Sequence, residues 1–437
     1  MPEASIATPP RANAFRSKDF SRYQMARLAV ILGAEAQSVG VAWQIYQITH
    51  SALYLGYTGL ALFLPGIFFV LPAGHAADRY NRKNIILGCY TLQAVCTAML
   101  LWISVSGTRN IFLIYAILFC IGAGRAFSGP AASAIMPSLV PKDCFVNAIT
   151  WGSAVFQVAN IMGPAVGGIL FTLTLTGTLA RWSGAPLVYV FTFTTMLIFL
   201  TLVSTIHPQR ETTEKRGFSF STVLAGLHYI LQKRILLGSI TLDLFAVLLG
   251  GAVSLMPIFA QDILHAGPRG LGLLRAMPAI GALAISLTLT RYPIRRNAGK
   301  LMLTAVGVFG AATILFGSSR SIPLSLFALL LIGASDNVSV VVRASILQLA
   351  TPPEMRGRVS AINWLFLGAS NEFGEFESGL TAQWFGAVRA VVYGGIASVM
   401  VPTLWSILFP RLRQIDMLTA ESLREAPLER STAEPID

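Results

Sequence analysis

Twelve long apolar stretches, each bounded by a short polar segment, run through most of this chain. Each is close to the roughly 20 apolar residues that a helix needs to cross the hydrocarbon core of a bilayer. The predicted spans are residues 25–48, 55–77, 85–106, 111–131, 146–173, 185–206, 234–261, 269–290, 299–318, 322–344, 358–384 and 387–410. The pattern therefore predicts an all-α membrane protein with twelve transmembrane helices.

The longest internal polar stretch, residues 207–233, divides the spans into two groups of six. Residues 221–231 within it have the spacing of a short amphipathic helix, which we expect at the inner leaflet. The predicted organisation is a tail (1–24), a six-helix bundle (25–206), the linker (207–233), a second six-helix bundle (234–410) and a second tail (411–437). The first tail lacks the apolar core and cleavage site of a signal peptide, so the first span is expected to be an uncleaved targeting signal.

The two groups of spans also resemble one another in sequence. Residues 122–143 align with residues 333–354 at an offset of 211, about half the chain, and Pro141 falls on Pro352. Few residues are identical, but they fall on one helix and the start of the loop that follows it. The repeat predicts two pseudo-symmetric six-helix bundles, as in transporters built from parallel repeats.

Composition supports a membrane protein and excludes most other classes. Hydrophobic residues make up 54% of the 437 residues and charged residues 12%, with a mean hydropathy of +0.65, whereas soluble proteins average about 25% charged residues. The net charge is +12, yet the basic residues lie in short clusters between apolar runs and form no stripe that would bind nucleic acid. The four cysteines form no CxxC pair and indicate neither a disulfide framework nor a metal site.

Basic residues are concentrated in alternate loops. One side holds both tails and the basic clusters near residues 79–83, 142, 210–234, 291–300 and 356–358, while the other side's loops hold Arg109, Arg181, Arg269, Arg320 and Arg389. Because arginine and lysine are retained in cytoplasmic loops, we predict that both termini are cytoplasmic and that the protein is a multi-pass protein of the cell (inner) membrane. An even number of spans agrees with this orientation.

The loop after the second span runs from Gly74 to Lys83 and contains Asp78, Arg79 and Arg82. It resembles the loop signature G-x-x-x-D-R-x-x-R-K of the major facilitator superfamily. Glycine lets two helices approach closely, and the carboxylate at the helix end can pair with a basic group or a helix N-terminus. The resemblance implies a gating latch on the cytoplasmic side, whereas a basic cluster that only sets the topology is the alternative.

The fifth span contains Gly163, Pro164, Gly167 and Gly168 in the order G-P-x-x-G-G. This resembles the antiporter motif of the same superfamily and favours export over uptake. Proline kinks a helix and small residues let it pack tightly, so ordinary close packing is the alternative interpretation.

Five further stretches resemble the drug- and siderophore-exporting branch of the superfamily. They are residues 42–49, 242–249, 272–276, 355–361 and 371–379. The resemblance implies the major facilitator fold and secondary active export of a small organic molecule by proton antiport and alternating access. The sequence has no phosphate-binding loop, which argues against an ATPase, and no nucleophile–base or metal constellation, so we expect no enzyme, no cofactor and no metal. We also expect a monomer. A proton- or sodium-coupled importer and a non-transporting receptor or scaffold are the alternatives.

Charged residues inside predicted spans need a partner or a water-filled cavity, because each costs at least about 2.5 kcal/mol at the bilayer centre. At about 100° per residue, five residues of the eleventh span form one stripe with Glu372 at its edge: Trp364, Gly368, Asn371, Glu375 and Ser378. We expect this stripe to line a cavity, with Glu372 or Glu375 carrying the coupled proton. Pairing with a neighbouring helix is the structural alternative.

Other spans also carry ionisable residues. Asp243 of the seventh span and Arg275 of the eighth are expected either to form an ion pair or to line the cavity, and Asp243 is the reserve proton carrier. Arg125 occupies the repeat position of Asp336. Each of these two is a candidate for the substrate cavity, and helix packing is the alternative.

The first span has two polar faces that cannot both line a pore. Glu35 lies on one face, and Gln37 and Gln44 lie on the other. We expect the glutamines to hydrogen-bond the substrate and Glu35 to serve at a helix interface or as a proton carrier. Trp43 and Trp364 are candidates for stacking on an aromatic substrate, with packing in the bilayer or core as the alternative.

Overall fold

The structure is a computed structural model that describes residues 14–141, 144–207, 220–294 and 296–418. Within these ranges the regular secondary structure is helical throughout. The α-helices are α1 (Lys18–Thr49), α2 (Ala52–Arg79), α3 (Arg82–Ser106), α4 (Ile111–Ile135), α5 (Phe145–Thr172), α6 (Ala185–Ser204), α7 (Phe220–Gln232), α8 (Arg234–Leu249), α9 (Met256–Ile258), α10 (Gly267–Arg291), α11 (Ala298–Ser318), α12 (Ile322–Ala350), α13 (Pro353–Phe385), α14 (Ala387–Leu408) and α15 (Pro410–Arg413).

The helices match the predicted spans in number and order. The twelve spans correspond to α1–α6, α8 and α10–α14, and α7 lies in the linker. In the part of the chain described, ten of these helices are long and apolar enough to cross a membrane. The two remaining helices do not meet this criterion. α8 is too short, with 16 residues, and α13 carries three glutamates in its central turns. The prediction of an all-α membrane fold is confirmed.

The seventh span is not the single helix predicted for residues 234–261. α8 ends early, and a non-helical stretch leads to α9 and then to a π-helical turn, Phe259–Ile263. The backbone passes so close to α13 here that a Cβ on Gly251 would lie 2.6 Å from the Oγ atom of Ser378. Hydropathy predicts a continuous helix because it does not register such a close approach between neighbouring helices.

Polar turns extend some helices beyond their apolar stretches. α1 begins at Lys18 rather than at residue 25, because Ser17 caps it by accepting a hydrogen bond from the Phe20 amide. A side chain that satisfies a free amide lets a helix start among polar residues.

The sequence repeat has a structural counterpart. In the first bundle α4 packs on α2, where a Cβ on Gly122 would collide with the carbonyl oxygen of Leu62. In the second bundle α12 packs on α10, where a Cβ on Gly333 would collide with the carbonyl oxygen of Pro278. Glycines at the same repeat position thus bring equivalent helix pairs into backbone contact.

The helix predicted in the linker is present as α7, and it packs against the second bundle. A Cβ on Gly226 would lie 2.9 Å from the carbonyl oxygen of Arg358 in α13. The Tyr229 hydroxyl donates a hydrogen bond to the carbonyl oxygen of Ala350 at 3.3 Å. Residues 208–219 of the linker lie outside the described residues.

Candidate functional site

The two bundles meet where α5 crosses α10 and where α2 crosses α13, near the end of the molecule that the charge pattern predicts to face outward. At the first crossing, a Cβ on Gly168 would lie 2.6 Å from the carbonyl oxygen of Pro268. A Cβ on Gly272 would lie 2.6 Å from the carbonyl oxygen of Pro164. A side chain at either glycine would push the helices apart, so the G-P-x-x-G-G segment lies at the contact between the bundles.

The crossing of α2 and α13 repeats this arrangement. A Cβ on Gly379 would lie 2.9 Å from the Cα atom of Gly56. The offset of 211 residues between the two halves also relates Gly168 to Gly379 and Gly163 to Gly374. Glycines at equivalent repeat positions therefore make both crossings possible.

Hydrogen bonds join the bundles at the same end. The pairs are Tyr46 with Asp262, Ser51 with Gln383 (3.1 Å), and Arg269 with Thr172 (2.8 Å). Asp262 belongs to the π-helical turn that follows α9. The break in the seventh span thus brings a carboxylate to the contact with α1.

A cavity of about 250 Å³ lies between the bundles. Its walls come from α1, α2 and α4 of the first bundle, and from α10, α13 and the break after α8 in the second. Five charged side chains converge on it: Glu35, Arg125, Arg275, Glu372 and Glu375. Charged residues that face a cavity inside a membrane protein mark substrate or proton pathways.

Glu372 and Glu375 both reach one point on α2. A Cβ on Gly59 would lie 2.7 Å from the Oε2 atom of Glu375 and 3.1 Å from that of Glu372. The lack of a side chain at Gly59 leaves room for both carboxyl groups. Two negatively charged carboxylates that face the same point repel each other, and a proton on one of them relieves the repulsion.

The face of α13 that meets the cavity differs from the predicted stripe. Glu372 and Glu375 line the cavity, whereas Asn371 is exposed and donates a hydrogen bond to a backbone carbonyl of its own helix at 2.9 Å. Ser378 is buried against the break after α8. Helical periodicity gives the spacing of a stripe but not the rotation of the helix toward its neighbours. The side chain of Trp364 lies outside the described part of the structure.

Two arginines offset the negative charge of the carboxylates. Arg275 of α10 interacts electrostatically with Glu35 of α1 and with Glu375. Arg125 of α4 interacts in the same way with Glu35 and with Glu372 of α13. Each arginine therefore links its own bundle to a carboxylate of the other.

Asp243 lies away from this cavity, and the predicted ion pair with Arg275 is wrong. Asp243 pairs with Arg343 of α12 instead, and each side chain is 5% exposed. The pair forms inside the second bundle because α8 packs against α12 there. Asp336, also on α12, does not line the cavity either.

On α1, residues of both predicted polar faces line the cavity. Glu35 lines the cavity, while Gln37, which also borders it, accepts a hydrogen bond from Thr97 of α3 at 3.1 Å. Gln44 accepts a hydrogen bond from a tyrosine of α6 and lies outside the cavity wall. Trp43 is 2% exposed and packs edge-on against a phenylalanine of α5. The glutamines point into the first bundle because α3 and α6 supply hydroxyl partners there.

Comparison with known protein families shows which family this chain belongs to. A family described as transmembrane secretion effector matches residues 10–434. The chain belongs to this family of the major facilitator superfamily. Its members are transporters, so the chain is a multi-pass membrane transporter.

Similar proteins include enterobactin exporters. The exporter of Escherichia coli is 27% identical over 383 residues, covering 86% of this chain and 85% of the exporter, and that of Citrobacter koseri is 25% identical over 389 residues with the same coverage. A bacterial homologue of the human lysosomal transporter Spinster matches with a TM-score of 0.72 at 16% identity, over 94% of this chain and 99% of that one. The xylose transporter of E. coli matches with a TM-score of 0.67 at 14% identity, over 93% and 99%. The predicted major facilitator fold is thereby confirmed.

A lysine of the loop signature joins the start of α3 to the end of α6 in the first bundle. The Lys83 ammonium donates hydrogen bonds to the backbone carbonyls of Ser204, at the end of α6, and Ile206, just beyond it, at 2.6 and 2.7 Å. Asn81, at a position where the superfamily pattern commonly has glycine, caps α3 by accepting a hydrogen bond from the Lys83 amide at 2.9 Å. The side chain of Asp78 lies outside the described residues, so the latch remains a prediction. Of the other signature residues, Gly74 is buried, Arg79 exposed and Arg82 half-buried.

Two polar residues of the cavity wall, Thr58 and Ser254, were not predicted from the sequence. Thr58 lies in an otherwise apolar stretch and gives no signal of its own. Ser254 follows the glycine pair Gly250-Gly251 and precedes Pro257. An interruption of this kind in an apolar span is a recognised sign of a binding site in transporters, and it would have drawn attention to Ser254.

Proposed function

We propose that this chain exports a small organic molecule from the cytoplasm across the inner membrane in exchange for protons, as a monomer and without a cofactor. The observation that carries the proposal is the meeting of Glu35, Arg125, Arg275, Glu372 and Glu375 in one cavity. Charged residues are costly inside a bilayer, so five in one cavity indicate a use in binding or coupling. A siderophore or drug-like substrate is proposed because the enterobactin exporters match over 86% of the chain.

Transport requires the cavity to open to one side of the membrane at a time. The two glycine crossings and the hydrogen bonds beside them close the end that we propose to face outward. Rocking of the bundles that parts these crossings and brings the opposite ends together would expose the same cavity to the outside. Backbone contacts without side chains support such a movement, since little interdigitated packing has to be undone.

Competition between proton and substrate sets the direction of coupling. Ionised Glu372 and Glu375 attract a cationic or hydrogen-bond-donating group on the substrate. Protons that enter from the outside remove this attraction, and the substrate leaves. When the cavity again faces the cytoplasm, Arg125 and Arg275 stabilise the ionised carboxylates after the proton has left. Proton and substrate therefore occupy the cavity in turn, which is antiport.

Export is tested in a bacterial strain that lacks its own efflux pumps, with and without this chain. Enterobactin, chloramphenicol and ethidium serve as probes. We expect the chain to lower the cellular content of at least one of them, and a protonophore to restore it. Unchanged content of all three would contradict export of these classes, and export that persists with the protonophore would contradict proton coupling.

The orientation of the protein provides a separate prediction. Reporter fusions after Arg413 and after residue 265 should report opposite sides of the membrane, the first cytoplasmic, because basic loops are retained inside. The pair of reporters consists of alkaline phosphatase and green fluorescent protein, which are active on opposite sides. The same side for both fusion sites would refute the predicted topology.

The crossing of α5 and α10 predicts a conformational effect of Gly168→Leu. The new side chain would collide with the carbonyl oxygen of Pro268. Overpacking of about 1–3 kcal/mol would shift the equilibrium toward the outward-open state by roughly 5- to 150-fold. We expect faster labelling of a Thr58→Cys cavity probe by an impermeant maleimide from outside, in a background without native cysteines.

Gly66→Leu is the matched control, since no atom lies within 4 Å of a Cβ at that position. Its labelling rate should equal that of the parent protein. Equal rates for Gly168→Leu and Gly66→Leu would show that the crossing does not control access from outside.

A further inference from the structure

The break between α8 and α9 brings Ser254 into the wall of the cavity. Its side chain is 4% exposed, and its hydroxyl has no hydrogen-bond partner among the described residues. A buried hydroxyl without a partner destabilises the folded state. A molecule that enters the cavity could supply this partner.

Arg275 carries a second buried donor that has no acceptor among the described residues. Its Nη1 atom donates a hydrogen bond to Ser38 Oγ at 2.8 Å, which orients the guanidinium. Its Nε atom is buried and has no acceptor in the described part of the chain. Buried polar groups without partners are rare in folded proteins and require an explanation, and here the two residues that carry them both belong to the wall of one cavity.

We propose that Ser254 and Arg275 together bind an acceptor oxygen of the transported molecule. A carbonyl oxygen has two lone pairs and can accept hydrogen bonds from both donors. Apolar side chains of the first bundle, including Leu55, Leu62 and Ile121, supply a wall for the rest of the molecule. The assignment rests on the proposed transport role of the cavity and narrows the substrate class to molecules with a carbonyl group.

Transport in exchange for protons favours a neutral carbonyl over a carboxylate as the group that binds at Arg275. An anion at Arg275 would bind more tightly when Glu35 and Glu375 hold protons, so proton and substrate would bind together, as in a symporter. The binding of a neutral oxygen depends much less on the charge of these carboxylates. A donor group elsewhere on the same molecule can then pair with ionised Glu372, as antiport requires.

The test uses the purified full-length protein in detergent and two small probes. Salicylamide carries a neutral amide carbonyl beside a phenol hydroxyl, whereas 2-ethylphenol has an ethyl group in place of the carboxamide. Affinities are measured by titration with saturation-transfer NMR, which detects millimolar binding. We expect salicylamide to bind about tenfold more tightly than 2-ethylphenol, as one or two hydrogen bonds to buried donors allow.

Ser254→Ala and Arg275→Lys should each weaken salicylamide binding by about tenfold and leave 2-ethylphenol binding unchanged. Lysine keeps the positive charge beside Glu35 but lacks the Nε donor, so this variant separates the donor from the charge. Two control variants should bind both probes like the wild type. Ser239→Ala removes a buried hydroxyl that already donates to its own helix, and Arg389→Gln removes an exposed charge outside the cavity.

Three results would overturn the inference: equal affinity for the two probes, no saturable binding of salicylamide to the wild type, or wild-type affinity in both Ser254→Ala and Arg275→Lys. The last result would mean that water alone satisfies these donors. Binding is measured without a proton gradient, so its outcome is independent of the export tests. A chain that exports enterobactin in cells but fails here retains the proposed function and loses the carbonyl site.

Discussion

Accumulation driven by a pH gradient should be lost in Glu372→Gln, in Glu375→Gln or in both, while exchange of substrate across the membrane continues. Both carboxyl groups line the cavity and reach the same point beside Gly59. Glutamine keeps the size and polarity of the side chain but cannot ionise, so it mimics a permanently protonated carboxyl group. The carboxylate that remains in each single variant still attracts the substrate, so exchange continues, but the glutamine has no proton to trade for it and the gradient is not used.

The expected effect is large. A gradient of about two pH units stores roughly 2.7 kcal/mol per proton, which supports up to about 100-fold accumulation when one proton is exchanged per substrate molecule. An uncoupled variant should reach equal concentrations on both sides. The measurement is uptake of the exported compound into inside-out proteoliposomes, with and without the gradient, together with exchange of labelled for unlabelled compound.

Glu377→Gln is the matched control from the same helix. The Glu377 carboxylate accepts a hydrogen bond from Thr381 at 2.6 Å and does not line the cavity. This variant should accumulate substrate like the wild type. If Glu372→Gln and Glu375→Gln also do so, α13 is not the coupling element, and Glu35 becomes the next candidate.

The buried ion pair of Asp243 and Arg343 predicts the largest effect on stability. Either Asp243→Asn or Arg343→Gln leaves the partner as an unpaired charge in a site where both side chains are 5% exposed. Breaking such a pair costs about 3–5 kcal/mol. We expect each single variant to show a much lower unfolding temperature in detergent and a reduced level in the membrane.

Replacing both residues tests whether Asp243 serves as one half of a structural ion pair or as a proton carrier. Asp243→Leu combined with Arg343→Met removes both charges at similar volume and should recover most of the lost stability. Asp19→Asn is a control for removal of a carboxylate, because its pair with Arg22 lies at the surface, with Arg22 exposed and Asp19 half-buried, and is worth about 0–1 kcal/mol. A stable Asp243→Asn variant that has lost pH-driven transport would instead assign coupling to Asp243.

The positions of the helices could be predicted from the sequence because they depend on local properties. Apolar stretches of about 20 residues can only be satisfied by helices in a bilayer, and all twelve appear in order. The offset of the sequence repeat pairs Gly122 with Gly333 and also relates Gly168 to Gly379. Glycine marks the places where backbones touch, so the repeat in sequence carries over into equivalent contacts.

The chemistry of the cavity required the tertiary structure. The periodicity of α13 placed Glu375 in the centre of a stripe and Glu372 at its edge, yet both line the cavity, and Asn371 does not. On α1, Glu35 and Gln37 both line the cavity although they lie on different predicted faces, whereas Gln44 bonds to a tyrosine of α6 instead. A helical wheel describes one helix and contains no information about its neighbours.

The sequence by itself therefore determined a helical membrane protein of two repeated bundles, the linker helix between them, and a glycine-rich segment of the fifth span that packs tightly. Only the tertiary structure decided that Asp243 pairs with Arg343 and that the seventh span breaks to place Ser254 opposite the first bundle. The physical reason is that some properties depend on one helix alone and others on contacts between helices. Hydropathy and glycine content act within a helix, whereas the partner of a buried charge depends on the rotation of each helix about its axis and on what packs against it.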